Sequence, residues 1–409
     1  MSKESIIARI KALFKGDKII WIVTLFLILI SLLVVYTSSE QLANRKNQNN
    51  TYILFRHFVT VMFGIVAMII AANIKYKIYS KVLVFFFWIS IPLLLFTMFL
   101  GKYVNNAQRG IEILGMTFQT SDLAKVAIVG YLARVLTVRR DSMDNIKELI
   151  KWVMLPILVT VGLIFKNNFS TAAMLFVTCL VVMFLGKIKL KYIFGFVGAV
   201  VVAGAIALLV LLAIKPADAK DTNRSRTWLA RVERFMGGGQ EEEEQEDKFN
   251  QVLQAKIAVA GGSVLGKGPG KSTQRNILQH SYSDFIYAII VEEYGLVGGA
   301  FVLILYLVLL FRATRIMIRA PQSYGGLLAM GLAFSLVFQA MLNMGVAVGL
   351  LPVTGQPLPF VSMGGTSLMF TGLSLGIIIS VSKGINKNNN DERDSEIEVA
   401  DAEVAEADS

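Results

Sequence analysis

The chain has 409 residues, 55% hydrophobic and only 17% charged, with a mean hydropathy of +0.61. A soluble domain carries about 25% charge, so this composition is that of an integral membrane protein. The net charge of +11 is uneven: residues 387–409 hold nine acidic and two basic residues, leaving 38 basic and 20 acidic residues, or +18, elsewhere. That excess sits in short loops between apolar runs, a topology signal, and no folded basic domain remains for nucleic acid. One cysteine, Cys179, excludes an intrachain disulfide, and two histidines, His57 and His280, argue against zinc chemistry.

The basic lead Met1–Lys18 precedes the first of many apolar runs and reads as leading into a retained span, not as a cleaved signal. A helix needs roughly 20 apolar residues to cross a bilayer. Ten stretches qualify: 19–36, 52–73, 81–101, 116–136, 152–166, 169–186, 192–214, 284–311, 325–349 and 361–382. The fifth and sixth are separated only by Asn167-Asn168, as in a tight helical hairpin. The fourth is the most polar, with Asp122, Lys125 and Arg134.

Orientation follows from the short loops. One set carries Lys75/Lys77/Lys81, Arg139/Arg140/Lys147/Lys151, Lys187/Lys189/Lys191 and Arg312/Arg315/Arg319, while the opposite set carries only Arg45/Lys46 and Lys102/Arg109. Both termini are therefore expected in the cytoplasm, and the long loop 215–283 outside. The expected fold is an all-α integral membrane protein of ten transmembrane helices, with one large extracytoplasmic loop and a re-entrant Pro/Gly-rich segment. Its parts are a cytoplasmic lead (1–18), a membrane domain (19–385) and a disordered acidic cytoplasmic tail (386–409). In the long loop, the acidic patch Gly237–Asp247 reads as solvated, Phe249–Gly262 as a moderately amphipathic helix, and Gly266-Lys-Gly-Pro-Gly-Lys-Ser272 as glycine-rich.

Four constellations carry polar chemistry. The glycine-rich run fails as a P-loop, because position 265 is Leu265 and the frame from Gly261 lacks the Ser/Thr that holds magnesium. It is either a flexible turn or a loop whose amides, with Lys267, Lys271 and Arg275, meet an anionic ligand. Asp122 and Lys125, three apart on one helix face, are either a structural ion pair or the polar wall of a substrate cavity. Arg109, in the preceding outward loop, has the planar fork that suits a phosphate. The segment Asn343–Ser367 breaks a span with three prolines and several glycines, which is tolerated only where backbone is buried in protein or lines an aqueous cavity. Asp284 stands where the polar loop meets the next span. It reads either as a helix N-cap or as a general base at the outer surface. Glu292 and Glu293, about two turns deeper and on different sides of the helix, read as structural or secondary.

These motifs resemble those of the SEDS family (shape, elongation, division and sporulation), the membrane peptidoglycan polymerases, over residues 19–385. The Asn343–Ser367 segment is similar to the family's LLPVTGxPLPFxSxGGxS signature nearly residue for residue. Gln119–Lys125 is similar to QPSELAK, Gly266–Gly270 to GxGxG, and Asp284–Gly298 to DFIFA…EELGLVG. Lys15–Trp21 and Val34–Ser39 look more like the family's division branch than its elongation branch. The chain departs in three places. Asp122 replaces the family's Glu; Tyr282-Ser283-Asp284 replaces HTD, so no role passes to His280; and Lys166–Ala172 loses the Pro and Asp of QPDxGTA.

The resemblance implies a peptidoglycan glycosyltransferase that polymerises lipid II at the outer face of the bacterial cytoplasmic membrane, at the division septum. An acceptor sugar hydroxyl attacks an anomeric carbon and undecaprenyl diphosphate leaves. Asp284 would take the proton. Arg109 and Lys125, with Lys271 and Arg275, would meet the diphosphate charge, and Asp122 and Ser362 fall in substrate-binding motifs. A divalent cation, Mg or Mn, on the diphosphate is implied, without a complete protein ligand set. Implied partners are the growing glycan strand, a class B penicillin-binding transpeptidase and other divisome membrane proteins. Two rival readings are a transporter that flips lipid-linked precursor and a non-catalytic divisome scaffold.

Overall fold

The computed structural model describes residues 16–38, 49–100, 102–104, 107–113, 116–213, 243–278, 281–320 and 323–385. The lead before Gly16, the acidic positions 237–242, His280 and the tail from 386 lie outside the described residues.

Apolar runs fold as helices because lipid offers no partner for a backbone amide or carbonyl. In chain order these are α1 (Lys18–Ser38), α2 (Asn50–Asn73), α3 (Tyr76–Leu100), α4 (Thr120–Val138) and α5 (Ile146–Phe165). They continue with α6 (Phe169–Leu185), α7 (Leu190–Ala213), α8 (Glu243–Gly262), α9 (Ile286–Arg319), α10 (Tyr324–Ala347) and α11 (Thr366–Ile385). Seven of them, α1, α2, α3, α5, α9, α10 and α11, are long and apolar enough to cross a membrane. The apolar runs Phe169–Leu185 and Leu190–Ile206 are shorter. Helix α4 carries Asp122, Lys125 and Arg134, yet 14 of its 19 residues are buried. Its charges are thus sheltered by protein: Arg134 donates to the Ser80 carbonyl (2.8 Å) and hydroxyl (3.0 Å).

The all-α expectation needs one correction. Between α3 and α4 lie β1 (Lys102–Val104), β2 (Ala107–Ile113) and β3 (Met116–Gln119), an antiparallel sheet in that order, with Gly110 paired to both Lys102 and Gln119. Ile111, Ile113, Met116 and Phe118 alternate with polar neighbours, the period of a strand. The fourth apolar run therefore starts as a strand, and its helix begins only at Thr120.

The eighth apolar run, expected from 284 to 311, is helical to Arg319 but not continuous. Gly295 has φ 69° and ψ −172°, dividing α9 into a short half-helix, 286–294, and a long one. The backbone groups freed by this break are met by the loop after α8. Lys267 and Gly268 N–H donate to the Glu292 and Glu293 carbonyls, each at 2.9 Å, and Leu296 and Val297 N–H donate to the Ser263 and Val264 carbonyls. Only glycine fits: a Cβ at Gly295 would stand 2.1 Å from the Val264 oxygen, and one at Gly262 would stand 2.0 Å from that of Val291. At the far end of α9, Arg312 forms a 2.6 Å ion pair with Asp17, which also caps the start of α1.

Between α10 and α11 the Pro/Gly-rich stretch has no regular structure, and its second half, Leu358–Ser362, is buried and tied down. The carbonyl of Pro359 accepts from Tyr306 Oη (2.5 Å), and that of Val361 from Ser31 Oγ (2.8 Å). Non-helical backbone among membrane helices survives by this kind of satisfaction.

Candidate active site

Asp284 lies two residues before α9, in a turn, and is half-buried. The N-cap position is Phe285, without a side-chain cap, so Asp284 is not there to satisfy the helix. Among the described residues its carboxylate accepts one hydrogen bond, from Ser283 Oγ to Oδ1 at 2.7 Å. Its Oδ2 faces Gly355, where a Cβ would stand 3.6 Å away; Gly355 has φ +63°, a conformation that favours glycine. The carboxylate thus has one oxygen steadied and the other beside bare backbone.

The Pro/Gly-rich stretch fixes this turn through Ser362 and Met363, and Asn343 on α10 adds a third anchor. Ser362 Oγ donates to the Ser283 carbonyl (2.6 Å) and accepts from Leu358 N–H (2.8 Å). Met363 N–H donates to the Tyr282 carbonyl (3.0 Å). Asn343 Nδ2 donates both protons, to the Asp284 carbonyl (2.8 Å) and the Gln356 carbonyl (2.7 Å). Gln356 Nε2 in turn donates to Thr171 Oγ1 on α6 (2.8 Å). Ser362, 1% exposed, has its hydroxyl committed to this turn, so its contribution is to the placement of Asp284.

Asp122 and Lys125 form the expected ion pair on α4, Nζ to Oδ1 at 2.8 Å, with side chains 4% and 12% exposed. Lys125 also donates to Gln339 Oε1 (3.3 Å), and Gln339 Nε2 donates to the Pro357 carbonyl (2.8 Å). Asp122 Oδ2 is buried without a hydrogen-bond partner. The pair lines a small polar recess between α4, α10 and α11, of about 20 Å³, with Ser335, Ser367, Thr371 and Ser374 on its walls. Gln339 and Asn343, one turn apart on α10, therefore link the Asp122–Lys125 pair to Asp284 through the broken segment between them. The sequence reading gave neither residue a role, although two amides four apart in an apolar run are the visible signal.

Glu292 is fully buried and is the most heavily bonded carboxylate described. It accepts from Lys267 Nζ (2.6 Å), the Ser272 hydroxyl, Thr273 N–H (3.0 Å) and Oγ1 (2.8 Å), and Gln274 N–H (3.3 Å). Glu293, 1% exposed, accepts from Thr37 Oγ1 at 3.1 Å. The glycine-rich loop wraps one of the protein's own carboxylates, Glu292, through Lys267 and the amides of Thr273 and Gln274. The amides of Lys267, Gly268, Lys271, Thr273 and Gln274 are all used internally, and Lys267 is paired. Lys271 remains exposed on the loop, while Arg275 donates to the Gly270 carbonyl (2.8 Å). Arg109 lies on β2, and its side chain falls outside the described residues.

Among the described residues no three His, Cys, Asp or Glu side chains converge as metal ligands. The family model described as "Cell cycle protein", covering FtsW, RodA and SpoVE, matches residues 17–387. The chain is 28% identical over 379 residues to Stage V sporulation protein E of Bacillus subtilis, covering 90% of this chain and 97% of that protein. It is 29% identical over 377 residues to a probable peptidoglycan glycosyltransferase FtsW of Geobacter sp., covering 90% and 96%. Its fold is similar to a chain of a peptidoglycan synthase complex that coordinates polymerization and crosslinking (TM-score 0.71, 21% identity, 91% and 99% covered). It is also similar to the rod shape determining protein RodA of Thermus thermophilus (TM-score 0.63, 21% identity, 90% and 97% covered). With a family match that runs from Asp17 to Lys387 and takes in every motif described above, the chain belongs to the FtsW/RodA/SpoVE family of cell cycle proteins.

Proposed function

We propose that this protein is a peptidoglycan glycosyltransferase that polymerises lipid II into glycan strands, with Asp284 as general base. The observation that carries the reading is the placement of Asp284. Ser362, Met363 and Asn343 hold its turn, while Oδ2 is left against bare Gly355 backbone. A carboxylate that needs nothing from its helix, fixed by several buried hydrogen bonds, is what proton abstraction from a weak alcohol requires. Relatives named as probable peptidoglycan glycosyltransferases, similar along nearly their whole length, support the substrate class.

In the reaction the acceptor hydroxyl oxygen forms a bond to the donor's anomeric carbon, and its proton passes to Asp284 Oδ2. The bond from that carbon to the diphosphate oxygen breaks, and undecaprenyl diphosphate leaves with the electron pair. Lys125, oriented by Asp122 and Gln339, supplies positive charge toward the leaving group, and Lys271, Arg275 and Arg109 supply it from the outer loops. A magnesium or manganese ion would need only one or two protein carboxylates beside substrate phosphates, and the partnerless Asp122 Oδ2 would be the protein oxygen to hold it. Such an ion would offset charge on the diphosphate.

All ten apolar helices (α1–α7 and α9–α11) cross the cytoplasmic membrane in this reading, both termini are cytoplasmic, and Asp284 lies at the outer face. The partner is a class B penicillin-binding transpeptidase that crosslinks the strands, and the setting is the division septum. The test incubates purified protein and partner with fluorescent lipid II and resolves the products by size. Ladders of glycan support the polymerase. Translocation of lipid II across vesicles without ladders supports the transporter reading instead.

A further inference from the structure

Glu292 does more than satisfy itself. Its five donors all come from one stretch, Lys267–Gln274, and it sits on the short half-helix 286–294 that follows Asp284. The same loop enters the Gly295 break through the amides of Lys267 and Gly268, bonded to the Glu292 and Glu293 carbonyls. Side chain and backbone together therefore join the loop and the half-helix as one body. Arg275 N–H adds a bond to Ser272 Oγ (3.1 Å), and Ser281 Oγ donates to both the Arg275 carbonyl (3.2 Å) and the Ser38 carbonyl on α1 (3.3 Å). Lys271 and Arg275 bracket Ser272–Gln274, which supply four of the five donors, so Glu292 fixes the stretch of loop that carries these two cations against the half-helix following Asp284.

We infer that Glu292 is a positioning residue for the reaction. It fixes the cationic Lys271–Arg275 edge of the loop against the half-helix that carries the base, so that one body presents base and diphosphate-binding charge together. The inference rests on the lipid-linked diphosphate substrate proposed above. Two properties make Glu292 suited to this. An ionised carboxylate has about four lone-pair sites for a crowd of donors, which an amide cannot match. Its bonds to Lys267 and to backbone N–H are of the strong charge-assisted kind.

The test uses the full chain with its transpeptidase partner in lipid nanodiscs, comparing wild type, Glu292→Gln, Glu292→Asp and Asp284→Asn. Three quantities are read: amide hydrogen exchange, the Kd for undecaprenyl diphosphate, and kcat and KM for lipid II. In Glu292→Gln, exchange should speed up at Lys267–Gln274 while 296–319 stays protected. Kd and KM should rise by roughly tenfold to a hundredfold, the cost of misplaced binding groups, with kcat changed far less. Glu292→Asp should recover part of the affinity. Asp284→Asn should lose kcat and keep Kd. A Glu292→Gln protein with a looser loop and unchanged Kd and KM overturns the inference, and so does a loop whose exchange does not change. If wild type binds the diphosphate but makes no glycan, the polymerase reading fails, and the Kd comparison still decides the role of Glu292.

Discussion

Replacing Ser362 by Ala removes one oxygen and leaves two buried groups, the Ser283 carbonyl and Leu358 N–H, without partners. Unsatisfied buried groups of this kind cost about 1–3 kcal/mol, felt here in the turn that bears Asp284. Ser362→Ala should therefore lower kcat while KM for lipid II stays close to wild type. Asn343→Asp is a sharper change of similar size, because it sets carboxylate oxygens against the two carbonyls that Asn343 Nδ2 now serves. It should lower kcat by roughly tenfold to a hundredfold through displacement of Asp284, and an unchanged kcat in purified protein would contradict the role given to Asn343. At this scale the sequence was readable where the partner is local. Asp122 and Lys125 share a helix face and pair as their spacing implies. Asn343, Gln339 and Glu292 take their roles from chain 13 to 214 residues away, and no local pattern says which partner will stand opposite.

Elements follow a similar division. Apolar length sets where the helices form, and the density of Pro and Gly after Asn343 marks the irregular segment, because both depend on nearby residues alone. Gly295, Gly298 and Gly299 weaken the helix locally, but which of them breaks is decided by a loop far back in the chain that occupies the break. Gly295→Ala tests this. The substitution meets the Val264 oxygen at 2.1 Å and must adopt φ 69°, ψ −172°, a region essentially confined to glycine that alone costs about 1–3 kcal/mol. A lower unfolding temperature in detergent is expected, with faster exchange in 262–274. Equal stability of wild type and variant would mean that the break is not held as described. In the sheet 102–119, β3 merges with the apolar run that begins at 116, while β1 and β2 are short strands whose partners lie in one another, so neither stands out locally.

Across the molecule, stability and chemistry lie at different ends. The Asp17–Arg312 pair joins α1 to the far end of α9, at 3% and 17% side-chain exposure. Asp17→Asn should cost about 2–3 kcal/mol, somewhat below a fully buried pair, lowering thermal stability while kcat per folded molecule is retained. Deleting residues 387–409, on the opposite side of the membrane from Asp284 in the proposed topology, should leave polymerisation in vitro intact. Loss of activity on that deletion would contradict the proposed separation of tail and site. The central claim is that a single carboxylate, held at the start of α9 by the broken segment before α11, takes the acceptor's proton. The most direct measurement is polymerisation of fluorescent lipid II by purified Asp284→Asn protein with its transpeptidase partner, beside wild type of matched thermal stability. The account predicts no glycan ladder from Asp284→Asn with undecaprenyl diphosphate binding preserved; a ladder like that of wild type would contradict it.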